Sequence, residues 1–146
     1  MKRTALAHWI GDGKTGKGSL STQSGALKEL PYSFNSRFES EDGKAGTNPE
    51  ELLGSAHAGC FSMQLAFMVT DAGFKVDDIK TNASVDVQKK DNGFEIVEIT
   101  LNLKAKIPGI SHEKFEEISN KAKSSCPLSK ALAATKITLV SELMNG

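Results

Sequence analysis

The chain has 146 residues, 38% of them hydrophobic, and its 18 Lys and Arg balance 18 Asp and Glu for a formal net charge of zero. One domain of this length buries about 70% of its unfolded surface and needs no disulfide framework, which the two cysteines could not supply. The neutral balance excludes a nucleic-acid or polybasic membrane binder, both of which need a cationic field; 4 Pro and 13 Gly exclude a collagenous or low-complexity chain.

Thr4–Ile10 reads as a strand. Met1-Lys2-Arg3 makes a basic start, but His8 interrupts the apolar run and no small-residue cleavage site follows, so a signal peptide is not expected. Gly11–Gly18 is a glycine-rich turn that nearly spells a phosphate-binding loop. Gly18 stands where that loop needs a Ser or Thr to ligate magnesium, and Ser19-Leu20-Ser21-Thr22 is poor helix material, so the nucleotide reading is rejected. Gly18–Ser24 and Ala26–Leu30 are expected as two further short strands. Pro31–Asp42 is less regular and is anchored by Tyr32, Phe34 and Phe38.

Asn48-Pro49-Glu50-Glu51 is a helix start: Asn48 can cap, Pro49 suits the first helical position, and two carboxylates face the positive end of the dipole. The helix runs to about Asp71, where Ala72-Gly73 ends it. Leu52–Thr70 carries no charge but too many Gly and polar residues for a membrane span. Apolar on nearly all sides, this helix is expected to be buried all round. From Ile79 the period changes to two, through Thr81, Ala83, Val85 and Val87. After Asp91-Asn92-Gly93 it resumes as Val97, Ile99, Leu101, Leu103, Ala105 and Ile107, a long antiparallel hairpin. Ser111 caps a helix through about Lys123 with Phe115, Ile118 and Ala122 on one face. Ser124-Ser125-Cys126-Pro127 breaks it and starts a short helix through Ala134, and Lys136–Met144 is the last strand. The order predicts an α+β fold with a mainly antiparallel sheet, one domain over residues 1–146.

The chemistry-bearing candidates are few. Cys60 lies in the third turn of the apolar helix, where a cysteine is ordinarily an inert core residue. Cys126 can occupy the N-cap of the short helix, where the dipole favours a thiolate. A metal site would have to join His57 and Cys60, one helix face apart by three residues, to Cys126 and His112; no close CxxC or HxxxH pair supports it. Arg37 stands between Phe34 and Phe38, either solvated and stacked on Phe38 or placed to keep a thiolate ionised. Glu50 is about 15 Å from Cys60 along a straight helix, so any link between them runs through a bridging arginine or a partner chain.

These residues also carry a likeness. Trp9 and its glycines, Leu30-Pro31-Tyr32-Ser33-Phe34, Ser36-Arg37-Phe38-Glu39, Thr47-Asn48-Pro49-Glu50-Glu51-Leu52-Leu53, Ala56-His57-Ala58-Gly59-Cys60-Phe61-Ser62-Met63 and Cys126-Pro127-Leu128-Ser129-Lys130-Ala131-Leu132 resemble the osmotically inducible protein C and organic hydroperoxide resistance family (OsmC/Ohr), most of all its OsmC branch. The resemblance implies an intertwined α+β homodimer, with mainly antiparallel sheets around a long buried central helix and two active sites at the subunit interface. It further implies a peroxidase for hydroperoxides, organic ones above hydrogen peroxide, with no metal, haem or flavin. By position Cys60 would be the peroxidatic thiol, Cys126 the resolving thiol, and Glu50 the family glutamate. Arg37 is where the OsmC branch places its arginine, whereas the Ohr branch has one nearer the N-terminus, where Arg3 stands. A Cys60 sulfenic acid would condense with Cys126, and an external dithiol reductant would restore both thiols in the cytoplasm. The apolar helix face around Phe61, Met63 and Phe67 would flank an organic substituent or, for most of its length, pack into the core. The alternative is a non-catalytic protein of the same fold that binds a small hydrophobic ligand or senses oxidants.

Overall fold

The computed structural model describes residues 1–144, and its helices and strands fall into two units, Met1–Leu52 and Leu53–Gly146. In the first, β1 (Ala5–Ile10), β2 (Lys17–Thr22) and β3 (Leu30–Ser33) pair antiparallel in the order β1-β2-β3. Gly18 on β2 faces Trp9 on one side and Tyr32 on the other, and the two rings close over it with centroids 5.4 Å apart. A Cβ at Gly18 would strike the Tyr32 ring and stand 2.7 Å from Trp9 Cε3, so only glycine fits.

The strand expected at Ala26–Leu30 is instead a turn. Thr22 N–H donates to Leu27 O at 3.0 Å and Leu27 N–H donates to Thr22 Oγ1 at 3.0 Å, while Gly25 and Glu29 take φ of 76° and 49°. Those local bonds satisfy the backbone without a ladder, and the third strand starts only at Leu30. The segment after it winds into a single π-helical turn, Asn35–Glu39. Buried Ser36 anchors that turn, accepting from Ser33 N–H at 2.9 Å and donating to Thr47 O at 2.9 Å.

Helix α1 (Pro49–Asp71) starts in the first unit, where Asn48 Oδ1 accepts from Glu51 N–H at 2.7 Å as its cap, and continues into the second. There β4 (Asp78–Lys90), β5 (Gly93–Lys106) and β6 (Lys136–Leu143) form a sheet in the order β4-β5-β6. The β4–β5 hairpin is antiparallel. The β5–β6 pair is parallel, because α2 (His112–Ser125) and α3 (Pro127–Ala131) supply the crossover that a parallel return requires. Ser111 caps α2, accepting from Lys114 N–H at 3.2 Å. The core sets Phe61, Leu65 and Val69 of α1 and Phe115, Ile118 and Ala122 of α2 with the alternate residues Ile99, Leu101, Leu103 and Ala105 of β5. Helix α1 comes close enough that a Cβ at Gly54 would lie 3.3 Å from Val85 Cγ2.

Two expectations are corrected here. The hairpin register shifts between Asp86 and Val87, with Asp86 opposite Glu98 and Val87 opposite Ile96, so Val97 is the extra residue of a bulge. The inward phase therefore moves, and Ile96 rather than Val97 packs on the core. Helix α1, long and apolar enough to cross a bilayer by composition alone, is buried on one stripe rather than all round. Gly54, His57, Phe61, Leu65 and Val69 face the core, while Met63 and Phe67 on the opposite stripe are 65% and 63% exposed. A sheet can cover only one side of a helix, and apolarity in the sequence does not say what covers the other.

Candidate active site

The second unit brings the two cysteines together. Cys60 is half-buried on the flank of α1, between its core stripe and its exposed stripe. Cys126 is wholly buried at a break in the chain that serves two helices. It ends α2, donating its N–H to Ala122 O at 3.0 Å, and begins α3, accepting from Lys130 N–H at 3.1 Å, with Pro127 at the first helical position. Both thiols are free, and Cys126 Sγ donates to Cys60 Sγ at 2.7 Å. Burial pushes the Cys60 thiol above its ordinary value and the Cys126 thiol beside it pushes the same way, while the Leu128 N–H bonded to the Cys60 sulfur pulls it down.

Beneath the thiols lies a second polar link between α1 and α3. His57 Nε2 and Ser129 Oγ are 2.8 Å apart, with His57 fully buried and Ser129 5% exposed. Burial lowers the His57 pKa from its ordinary value, because desolvation disfavours the charged ring. The sequence marks His57 only as a candidate metal ligand and does not single out Ser129. The available signal is a polar residue three positions from each cysteine, His57 before Cys60 and Ser129 after Cys126. Among the described residues no three His, Cys, Asp or Glu side chains cluster as metal ligands would.

The first unit holds the other two candidates, and it pairs them. Arg37, on the π-helical turn, donates Nε–H to both Glu50 carboxylate oxygens at 3.1 and 3.2 Å and Nη2–H to Oε1 at 2.5 Å. Its guanidinium also lies 4.7 Å from the Phe38 ring centroid, the stacked arrangement considered for it. Glu50 sits in the first turn of α1, its side chain 13% exposed. Arg3 is exposed and donates to Lys2 O and Met1 Sδ at 3.1 and 2.9 Å. A cavity of about 230 Å³ opens beside Arg37, walled by Trp9, Tyr32, Phe34 and Phe38. Of the side chains expected to flank a substrate, Phe61 is fully buried in the core and cannot; Met63 and Phe67 are exposed.

The chain matches the family model described as OsmC-like protein over residues 41–140. It is 51% identical over 139 residues to the peroxiredoxin OsmC of Escherichia coli K12, covering 95% of this chain and 94% of that protein. It is also 33% identical over 93 residues to the organic hydroperoxide resistance protein OhrB of Bacillus subtilis, 62% of this chain and 65% of that one. The crystal structure of OhrB superposes with a TM-score of 0.67 at 25% identity, covering 97% and 98% of the two chains. An organic hydroperoxide resistance protein OsmC from Legionella pneumophila superposes at 0.71 with 23% identity over 95% and 96%.

Proposed function

The chain belongs to the OsmC family, and from that premise we propose that it is a two-cysteine peroxidase that reduces organic hydroperoxides, and hydrogen peroxide less well, to alcohols and water. The observation that carries the reading is the free Cys60–Cys126 pair, sulfur to sulfur at 2.7 Å, with one thiol half-buried and the other sealed. That asymmetry divides the roles. A peroxide can reach only the thiol that touches solvent, so Cys60 is the nucleophile, and Cys126 has no access to anything but Cys60.

In this reading the Cys60 thiolate attacks the terminal peroxide oxygen, the O–O bond breaks, and the alkoxide leaves as the alcohol once protonated. Cys60 is then a sulfenic acid. The Cys126 sulfur attacks the Cys60 sulfur, the S–O bond breaks, and water leaves with the Cys126 proton, giving an intramolecular disulfide. An external dithiol reduces that disulfide by thiol–disulfide exchange; its first attack falls on Cys60 because Cys126 is buried. No prosthetic group takes part, and a reducing compartment, the cytoplasm, keeps the resting thiols free.

Burial raises the Cys60 thiol, so the reaction needs a cation to favour the thiolate. Arg37 is assigned that part, and Glu50 orients it through the bidentate pair. The family dimer belongs to the same proposal. The exposed stripe of α1 bearing Met63 and Phe67 is apolar surface that a second copy would cover.

The test is steady-state consumption of cumene hydroperoxide and of hydrogen peroxide with dithiothreitol as reductant. Repeated turnover, faster with the organic peroxide, supports the peroxidase. Stoichiometric oxidation without turnover would overturn it in favour of an oxidant sensor.

A further inference from the structure

An imidazole and a hydroxyl occupy the contact between α1 and α3 where carbon would pack as well. His57 and Ser129 are both buried, and His57 Nδ1 has no hydrogen-bond partner among the described residues. A buried ring with one nitrogen unpartnered carries a desolvation cost that an apolar side chain would avoid. Its place in the fold suggests what offsets that cost. His57 lies three residues before Cys60 on α1, and Ser129 lies three residues after Cys126 on α3. The bond at 2.8 Å and the thiol contact at 2.7 Å are therefore adjacent links between the same two helices, one turn apart.

Helix α3 has five residues, too few to hold its own position by internal bonds. Its N-cap is Cys126 itself, so any drift of α3 carries the resolving thiol with it. In the oxidised protein the disulfide ties α3 to α1. In the reduced protein that tie is absent, and the His57–Ser129 bond, between two buried side chains, reinforces the weaker contacts that the Cys60 sulfur makes with the Cys126 thiol and the Leu128 N–H.

We propose that His57 and Ser129 are positioning residues for disulfide closure: their bond holds α3 on α1 so that Cys126 stays poised on Cys60. This rests on the two-cysteine reading above and deepens it. A poised Cys126 captures the Cys60 sulfenic acid with loss of water before a second hydroperoxide can oxidise it to the sulfinic acid, releasing another alcohol.

The closure equilibrium is the test. Wild type, Ser129→Ala, His57→Leu and His57→Gln are equilibrated with mixtures of reduced and oxidised dithiothreitol. The disulfide fraction is read by alkylation and intact mass, with circular dichroism to confirm folding. Ser129→Ala and His57→Leu are expected to lower the equilibrium constant for closure by about tenfold, the scale of one lost buried hydrogen bond. His57→Gln, whose amide can reach the position of Nε2, recovers most of it. A loss of stability common to both redox forms leaves this equilibrium unmoved, so a merely structural role predicts no change. An unchanged constant in the folded Ser129→Ala protein would overturn the proposal even if His57→Leu failed to fold. The measurement uses no peroxide: a wild type that never turned over would sink the peroxidase reading, while a shifted equilibrium in the variants would still support the clamp.

Discussion

Oxidation of the thiol pair stabilises the fold by an amount that the chain separation sets. Cys60 and Cys126 are 66 residues apart. Cross-linking a loop of that length removes about 15 cal/mol/K from the unfolded ensemble in the chain-entropy model, or about 4 kcal/mol at 25 °C. The thiols already face each other in the reduced fold, so closing them requires little rearrangement to set against that gain. With about 2.1 cal/mol/K of unfolding entropy per residue, the 146-residue chain converts this to a rise in Tm of about 14 °C. Scanning calorimetry on the reduced protein, and on protein treated with one equivalent of cumene hydroperoxide, measures the rise directly. Cys126→Ser, which cannot close the loop, is predicted to show none of it. The reasoning is refuted if the wild type loses both thiols to peroxide with no change in Tm, or if Cys126→Ser gains as much as the wild type.

Other outcomes follow from the same geometry. Cys60→Ser abolishes peroxide consumption, whereas Cys126→Ser performs one turnover and stops at the sulfenic acid or beyond; a stopped-flow peroxide assay with mass analysis separates them, and equal activity in both would reverse the role assignment. On the role proposed for it, Arg37→Ala raises the Cys60 pKa and slows peroxide consumption at neutral pH by about tenfold, the scale of losing one thiolate-stabilising cation. Thiolate absorbance checks this, and a titration unchanged in Arg37→Ala would move the role to Arg3. Because the folded state raises Cys60 above its ordinary value of 9.0, the protonated thiol is favoured by folding. That contribution is complete below the unfolded pKa and is lost as pH rises through the folded one, so the reduced protein loses stability above about pH 9 and Cys60→Ser loses less. Denaturant midpoints measured across that range decide the matter.

Much of the fold was legible because it rests on local chemistry. Asn48 and Pro49 mark the start of α1, Asp91-Asn92-Gly93 the hairpin turn, and Ser111 the cap of α2, each a signal confined to a few residues. What escaped depends on partners distant in sequence. The third strand is placed by Tyr32 meeting Trp9 across Gly18, and the inward phase at Ile96 is reset by a bulge opposite Asp86 and Val87. The exposed stripe of α1 reads from sequence as core because Met63 and Phe67 are as apolar as Phe61 and Leu65. Only the position of the sheet distinguishes them.

The candidate site divides in the same way. Cys60 and Cys126 stood out as residue types in specific blocks, and Glu50 and Arg37 by their place near a helix start and among aromatics. The 2.7 Å approach of the thiols, the bidentate Arg37–Glu50 pair and the His57–Ser129 link are separations of 66, 13 and 72 residues closed by folding. Residue spacing alone does not encode such closures.

The most direct measurement of the central claim is intact mass, free-thiol count and a tryptic map of reduced protein after a slight excess of cumene hydroperoxide. Loss of both thiols within one chain, with a Cys60–Cys126 cross-linked peptide and no added oxygen, is the predicted result. Two persistent thiols, or a Cys60 that gains oxygen while Cys126 stays free, would contradict it.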